Sequence, residues 1–157
     1  NWSSRQLAKD LTPPLPELSQ TSDAICFTLR AYCAPHVSLR TREKEVAKRM
    51  TFALRKIGKA SYRRSDGLVI LPWPVTGVSE LDISDEIVKA VHHTFNRSLT
   101  PKEVRSILGI TNTERLMWMK DGRLPPSGRV FLRGSQLTSV QTYSVKMVQN
   151  LYDTKGK

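Results

Sequence analysis

The sequence lacks the features by which many enzymes, membrane proteins and secreted proteins are recognised. It has two cysteines, no paired-cysteine metal signature and no glycine-rich loop of the kind that binds phosphate groups. No apolar stretch approaches the roughly 18 residues of a membrane-spanning helix. Residues 1–19 lack the basic flank and apolar block of a secretory signal. We therefore expect a cytoplasmic protein without enzymatic activity, cofactor or bound metal.

The cysteines and histidines form no catalytic or metal-binding set that the sequence reveals. Cys26 and Cys33 are predicted to lie on one helix, about 10 Å apart along its axis, which is too far for an unstrained disulfide. His92 and His93 are adjacent, so on a helix they point about 100° apart and cannot chelate one metal ion together. Cys33 lies shortly before His36, but we interpret it as a core residue rather than as a nucleophile.

Acidic residues are few compared with basic ones. The 157 residues include 25 Lys and Arg against 14 Asp and Glu, and the net charge of +11 is typical of proteins that bind nucleic acids. Ten basic and two acidic residues fall between Arg40 and Arg64, which we call the basic segment. A solvated cationic face and a surface for acidic membranes are the alternatives. The strand pattern that ends the segment disfavours membrane binding.

The first half of the chain predicts an extended arm followed by a small domain. Prolines in "TPPLPELS" indicate an extended N-terminal arm over residues 1–20. Two helices are then predicted, from about Ser22 to Cys33 and from about Thr41 to Ile57.

A hairpin is predicted after these helices, because Asp66-Gly67 is typical of a two-residue turn with positive φ at both positions. A basic helix followed by such a hairpin predicts a basic winged-helix-like domain over residues 21–76, with Arg63 and Arg64 on the wing. The alternative is a hairpin that only covers a core.

The second half predicts a linker and a second domain. Prolines, a glycine and acidic residues indicate a linker, which we place at residues 77–84, and the second domain follows over residues 85–157. Its first helix is predicted to be capped by Ser84 and to bury Ile87, Val88, Val91 and Phe95. The tail, with Val140, Tyr143, Met147 and Leu151 on one face, predicts a closing helix that packs on its own domain or forms a dimer interface.

The stretch "SLTPKEVRSILGITNTERLMWMKDGRLPPSGRVFL", residues 98–132, predicts two short helices joined by a tight turn. Thr100 and Glu103 form a potential capping box, and Gly109 supplies the turn. Thr111 or Asn112 would cap the second helix, which ends at Gly122. Leu116 and Met119 are predicted to face inward, and Asn112, Thr113, Arg115 and Lys120 to remain outside. These spacings fit a DNA-reading helix-turn-helix, and an ordinary helical hairpin is the alternative.

This stretch resembles the excisionase-like and MerR-like winged helix-turn-helix domains of bacteria and their phages. The resemblance covers about 35 residues, under a quarter of the chain. The positions that carry it are Thr100, Glu103, Val104, Leu108, Gly109, Ile110, Trp118, Gly122, Arg123, Leu124 and Pro125. It implies that residues 125–136, "PPSGRVFLRGSQ", form a wing with Arg129 and Arg133 near phosphate.

The fold class expected from these patterns is mainly α with short β-hairpins, an α+β arrangement of two small winged-helix-like helix-turn-helix units in tandem. Base edges in the major groove are expected to contact Asn112, Thr113 and Arg115, because Arg suits guanine and Asn suits adenine. DNA phosphates are expected to contact a larger set of basic side chains, namely Arg42, Lys48, Arg49, Arg55, Lys56, Arg63, Arg64, Lys120, Arg123, Arg129 and Arg133.

The function expected is sequence-specific binding of double-stranded DNA by a nucleoid-associated protein. The protein would act as a transcriptional regulator or as an excisionase-like recombination directionality factor of a bacterial mobile element. Partners besides DNA would be a second copy, in a homodimer or a cooperative array, a recombinase or RNA polymerase. The alternative is a non-enzymatic interaction module that binds RNA or an acidic protein through the basic segment.

Overall fold

A computed structural model describes residues 10–132 and 138–155. The chain divides into two compact units, unit 1 up to Asn96 and unit 2 from Arg97 onwards. The described residues form seven helices, a four-stranded antiparallel sheet and a separate hairpin, which confirms the α+β class.

Unit 1 is built on the four-stranded sheet. Its strands are β1 (Leu18–Gln20), β2 (Ala24–Thr28), β3 (Ser61–Arg63) and β4 (Leu68–Pro72), in the order β1-β2-β4-β3 with antiparallel neighbours. This sheet differs from the winged-helix-like arrangement predicted for residues 21–76, because residues 18–28 add two strands to the predicted hairpin.

Strand β2 corrects the helix predicted from Ser22 to Cys33. Ile25 and Phe27 are buried on one face of the sheet, paired with Leu71 and Val69 of β4. The sequence alternates with a period of two at this point, and only the last residues of the predicted helix are helical. Cys26 therefore lies on a strand and Cys33 on a helix, and both are free thiols.

Four helices complete unit 1: α1 (Leu29–Cys33), α2 (Val37–Arg40), α3 (Glu43–Leu54) and α4 (Glu80–Asn96). Helix α3 confirms the helix predicted at about this position and packs along α4. Both helices bury apolar residues in one core with the sheet; those of α4 are Ile83, Ile87, Val91 and Phe95.

Helix α4 differs from its prediction in position. It starts at Glu80 rather than after Ser84, and the backbone N–H groups and side chains of Ser79 and Asp82 form reciprocal hydrogen bonds of 2.9 and 3.3 Å there. The predicted linker at residues 77–84 thus runs into this helix. The unit boundary lies after Asn96 instead, because the apolar face of α4 completes the core of unit 1.

The hairpin between β3 and β4 has a longer turn than predicted. Arg63 pairs with Leu68, so four residues form the turn, and only Gly67 has positive φ, at 69°. The carbonyl of Gly67 accepts the backbone N–H of Leu29 at 2.9 Å. This bond joins the turn to the start of α1.

The described part of the N-terminal arm, from Asp10, is extended and held against unit 1. The backbone N–H and carbonyl of Leu11 both bond to the side-chain amide of Asn96, at 2.8 Å each. Further along, the hydroxyl of Tyr32 donates to the carbonyl of Pro14 at 2.7 Å. The rest of the predicted arm, residues 1–9, lies outside the described residues.

Unit 2 contains α5 (Pro101–Leu108), α6 (Asn112–Lys120), β5 (Gly128–Leu132), β6 (Thr138–Thr142) and α7 (Val145–Lys155). Strands β5 and β6 form an antiparallel hairpin, and Leu99 forms a bridge with Tyr143 just after β6. The predicted closing helix therefore starts later than its apolar pattern indicated, since Val140 lies in β6 and Tyr143 in the bridge. The core of unit 2 contains Leu99, Val104, Ile107, Leu108, Leu124, Tyr143 and Val148.

Candidate nucleic-acid interface

The two-helix turn of unit 2 is fixed by local hydrogen bonds at both helix starts. Thr100 caps α5 and forms a complete capping box with Glu103. Thr111 caps α6 and forms a second capping box with Glu114. Between the helices, Gly109 adopts a left-handed conformation with φ of 66°, which glycine adopts without steric cost. The caps and the turn thus agree with the sequence prediction.

Six of the nine residues of helix α6 are exposed. Arg115 is its only buried residue, and the predicted inward residue Leu116 is 44% exposed, beside Met117 at 57%. Met119, the other predicted inward residue, is half-buried as expected. Because so little of α6 is packed, its caps rather than apolar burial define its position.

Arg115 lies inside unit 2, contrary to its predicted role as a base reader. Its side chain is 8% exposed; Nη1 donates to the hydroxyl of Tyr143 at 2.5 Å, and Nε and Nη2 donate to Oδ1 of Asn112 at 3.1 and 2.7 Å. Tyr143 is fully buried and also donates to the sulfur of Met119 at 3.0 Å. This network occupies the guanidinium, and it occupies the amide oxygen of Asn112, although Asn112 is itself exposed.

The other residues predicted to contact DNA in unit 2 are on the surface. Thr113 and Lys120 are exposed on α6. Arg129 is exposed on β5 and donates to the hydroxyl of Ser139 at 3.1 Å. Arg133 lies outside the described residues.

Arg123, a further predicted phosphate contact, is exposed but already paired. Two of its nitrogens donate to Oδ2 of Asp121, at 3.0 and 2.8 Å, and its guanidinium lies 4.8 Å from the centroid of the Trp118 ring. These hydrogen bonds from Arg123 hold the pKa of Asp121 below its usual range. A phosphate would therefore compete with Asp121 for this guanidinium.

The basic segment of unit 1 is mostly exposed, with one exception. Arg42 is 6% exposed, and Nη1 donates to the carbonyls of Ser38 and Thr94 at 3.2 Å each. Arg42 therefore joins α2 to α4 inside unit 1, where DNA would not reach it. The remaining predicted phosphate contacts of unit 1 are exposed, namely Lys48, Arg49, Arg55, Lys56, Arg63 and Arg64.

Two of these exposed arginines have acidic neighbours. Arg63 forms a bidentate ion pair with Asp66 in the hairpin turn, with contacts of 2.5 to 3.0 Å. Arg49 lies 3.8 Å from Glu45, one turn earlier on α3. Exposed pairs of this kind contribute little to stability, but they reduce the charge available to a polyanion.

Arg30 was not among the predicted site residues, yet it is the centre of a polar cluster. Its guanidinium donates to both carboxylate oxygens of Glu43, at 3.2 and 3.3 Å, and to the carbonyl of Arg64 at 2.8 Å. The hydroxyl of Tyr62 also donates to Glu43. No local pattern reveals this cluster, because its members come from α1, α3 and the hairpin.

Glu43 should make the stability of unit 1 depend on acid pH. Partial burial raises its pKa, but hydrogen bonds from Tyr62 and Arg30 outweigh this, so the pKa lies below the ordinary value of 4.5. The stabilisation is therefore complete above that ordinary value and is lost as the pH falls through the folded-state pKa. We expect the free energy of unfolding, measured by urea titration, to fall more in the wild type than in Glu43→Gln below about pH 5.

Glu17→Gln is the control for this measurement, since Glu17 is an exposed glutamate of the same unit. Its acid dependence should follow that of the wild type. Parallel acid profiles for Glu43→Gln and the wild type would contradict the stabilising role of the Glu43 carboxylate.

An exposed aromatic ring lies beside the cations of α3. Phe52 is 73% exposed and lines an open groove of about 630 Å³ between α3 and α4. Ala53 and Ala90 also line the groove, together with the cations Lys48, Arg49 and Lys89. The sequence contains Phe52 in the basic segment, but only the helix packing shows that its ring is accessible.

The described residues contain no cluster of metal ligands, and one of the two thiols, that of Cys33, is buried. Within residues 10–132 and 138–155, no three or more His, Cys, Asp or Glu side chains are placed to hold a metal ion. Burial raises the pKa of Cys33 to about 12, so this thiol is protonated at neutral pH. No helix in the same two ranges is long and apolar enough to span a membrane.

Unit 2 carries more of the net charge than unit 1, although the basic segment lies in unit 1. Residues 97–157 contain 11 basic and four acidic residues, a net charge of +7, against 14 basic and ten acidic residues, or +4, in residues 1–96. The acidic residues at the start of α4 belong to unit 1 and lower its net charge below that of unit 2. The smaller unit therefore carries the larger net charge.

Comparison of the chain with family models, curated proteins and solved structures gives no match.

Proposed function

We propose that this protein binds double-stranded DNA in a sequence-specific manner, with α5 and α6 as a helix-turn-helix and the β5–β6 hairpin as a wing. The observation that carries the proposal is the exposed surface of α6, a helix with a single buried side chain. Capping boxes define the starts of α6 and of the preceding helix α5. A helix whose start is defined by a capping box, and whose outer face is not covered by other residues of the unit, can enter the major groove without rearrangement of the core.

We propose a revised set of side chains for the base contacts. Thr113 lies at the exposed N-terminal end of α6, and Leu116 and Met117 follow on its exposed side. A threonine can bond to either partner of a base pair, and apolar side chains contact the methyl group of thymine. Arg115 and Asn112 would support the helix instead of reading bases, because the Arg115 guanidinium donates both to Asn112 and to the hydroxyl of Tyr143.

Phosphate contacts would come from both units. In unit 2 these contacts would come from Lys120 on α6 and Arg129 on β5, and in unit 1 from the exposed cations of the basic segment. Linking two weak contacts in one chain raises affinity through effective concentration. We propose that the protein acts on cytoplasmic, nucleoid DNA as a transcriptional regulator or an excisionase-like recombination directionality factor. Its partners would be a second copy, a recombinase or RNA polymerase.

The test is a titration of the protein with duplexes selected from a random pool, at several salt concentrations. Thr113→Ala should reduce the preference for the selected duplex over random duplex by about fivefold, because one base contact is lost. Lys120→Gln should weaken both duplexes equally and reduce the slope of log affinity against log salt by about one.

Thr76→Ala, an exposed threonine of unit 1, is the matched control and should leave both affinities unchanged. A wild-type protein that selects no sequence, or that binds duplex without salt dependence, would contradict the proposal. Equal losses on selected and random duplex for Thr113→Ala would contradict the role of Thr113 alone.

A second candidate function is a non-enzymatic module that binds RNA or an acidic protein through the basic segment. The groove at Phe52 favours it, since an accessible ring among cations can stack on an unpaired base. This candidate predicts, in the same titration, tighter binding to single-stranded RNA than to duplex DNA, and loss of that preference in Phe52→Ala.

A further inference from the structure

A second concave site in unit 1 is lined mainly by cations. It has a volume of about 300 Å³ and lies between the start of α3, the hairpin and α1. Four of its seven lining residues are basic; the lining consists of Arg30, Arg40, Thr41, Glu43, Lys44, Tyr62 and Arg64. It is distinct from the two-helix turn of unit 2 and from the groove at Phe52.

The walls of this pocket are held in place by the hairpin turn. Arg30 donates to the carbonyls of Arg64 and Ser65, at 2.8 and 3.4 Å, and so fixes the turn from which the Arg64 side chain extends. A Cβ on Gly67 would lie 2.6 Å from the Cβ of Arg30, which shows how closely the turn approaches α1. On the other wall, Nη1 of Arg40 donates to the carbonyl of Ala34 at 3.0 Å. The backbone of the turn and the side chains of Arg30 and Arg40 are therefore held in place at the pocket.

The single acid of the pocket is neutralised within it. Both carboxylate oxygens of Glu43 accept from Arg30, and Oε2 also accepts from the hydroxyl of Tyr62. The other three basic residues of the lining are Arg40, Lys44 and Arg64. Lys44 and Arg64 have no ion-pair partner for their side chains among the residues that the structure describes, and both are exposed.

We propose that this pocket binds a phosphate group, held as an oxyanion by Arg40, Lys44 and Arg64. Arginine and lysine donate charge-assisted hydrogen bonds to phosphate oxygens, and three such donors suit a tetrahedral anion. The phosphate comes either from the backbone of bound DNA, in which case the inference rests on the proposed function, or from a free phosphate ester. The chemistry recognised is the same in both cases.

The test compares two double variants with the same change in charge. Lys44→Gln with Arg64→Gln removes two of the pocket cations, whereas Lys89→Gln with Lys146→Gln removes two exposed cations that lie outside the pocket and outside the residues assigned to DNA contact. Each protein is titrated calorimetrically with inorganic pyrophosphate, and separately by fluorescence anisotropy with a labelled duplex. Thermal unfolding checks that both variants are folded, as expected for changes of exposed side chains.

One of the two probes, pyrophosphate or duplex, should bind to the pocket variant about tenfold or more weakly than to the control variant, because two charge-assisted bonds are lost. A selective loss of pyrophosphate binding would support the pocket and identify a free phosphate as its ligand. A selective loss of duplex affinity, without measurable pyrophosphate binding, would support the pocket and identify the DNA backbone as the source.

Equal losses in the two variants would overturn the inference, because they would reflect net charge alone. Absence of binding to both probes would overturn it as well. If the wild type binds pyrophosphate but no duplex, the proposed DNA-binding function fails while the phosphate pocket stands.

Discussion

Gly67→Ala is expected to lower the free energy of unfolding of unit 1 by about 3 kcal/mol. Two costs add. The residue has φ of 69°, where any side chain is strained, and its new Cβ would lie 2.6 Å from the Cβ of Arg30. That neighbour is attached directly to the backbone of α1, so it cannot move without displacing the helix or the turn.

Gly77→Ala is the control that separates the two costs. Gly77 has φ of 78°, but nothing lies within 4 Å of a Cβ built there, so only the backbone strain of about 1 kcal/mol is expected. Urea unfolding followed through amide signals of unit 1 by NMR measures both variants. Similar losses in Gly67→Ala and Gly77→Ala would show that the turn can move away from Arg30.

Arg115→Ala is expected to lower the free energy of unfolding of unit 2 by about 3 kcal/mol. The substitution removes the donor that bonds to the hydroxyl of Tyr143 and the two donors that bond to Asn112. Because Tyr143 is fully buried, its hydroxyl would keep only its contact with Met119. Urea unfolding followed through amide signals of unit 2 measures the loss.

Two further variants test this explanation. Lys120→Ala, an exposed cation at the end of the same helix, should change stability by no more than about 0.5 kcal/mol. Tyr143→Phe keeps the ring and removes the hydroxyl, and should lower stability by about 1 to 2 kcal/mol. If Arg115→Ala left unit 2 as stable as the wild type and changed only the bases preferred, Arg115 would be a base reader after all.

The parts of the fold that sequence predicted well are those determined within a few residues. The starts of α5 and α6 follow from Thr100, Glu103 and Thr111, because a capping box needs only residues three apart. The turn at Gly109 likewise depends only on residues close to it in the sequence. The sequence therefore predicted the backbone of the candidate interface, which depends on these signals.

The parts that sequence missed depend on distant residues. Strand β2 contains Ile25 and Phe27 with a period of two, but Leu29 and Tyr32 also continue a helical spacing from Ile25, and only the pairing with β4 decides between them. The unit boundary after Asn96 depends on where the apolar face of α4 packs.

The side chains of the candidate interface were harder to predict than its backbone. Arg115 was expected at the surface because isolated arginines usually are, and its partner Tyr143 lies 28 residues further along the chain. Nothing near Arg115 in the sequence indicates that a buried hydroxyl will accept its hydrogen bond. A cation predicted on the outer face of a helix can thus anchor that helix to the core.

The two hydrogen bonds between Leu11 and the amide of Asn96 have a topological consequence. They bring the first described residues of unit 1 and its last residue to the same place, at the end of α4. A folded unit whose two chain ends lie close together can be inserted into a surface loop of another protein without stretching that loop. It can also be circularly permuted. The described part of unit 1, from Asp10 to Asn96, therefore has chain ends that suit insertion into another protein.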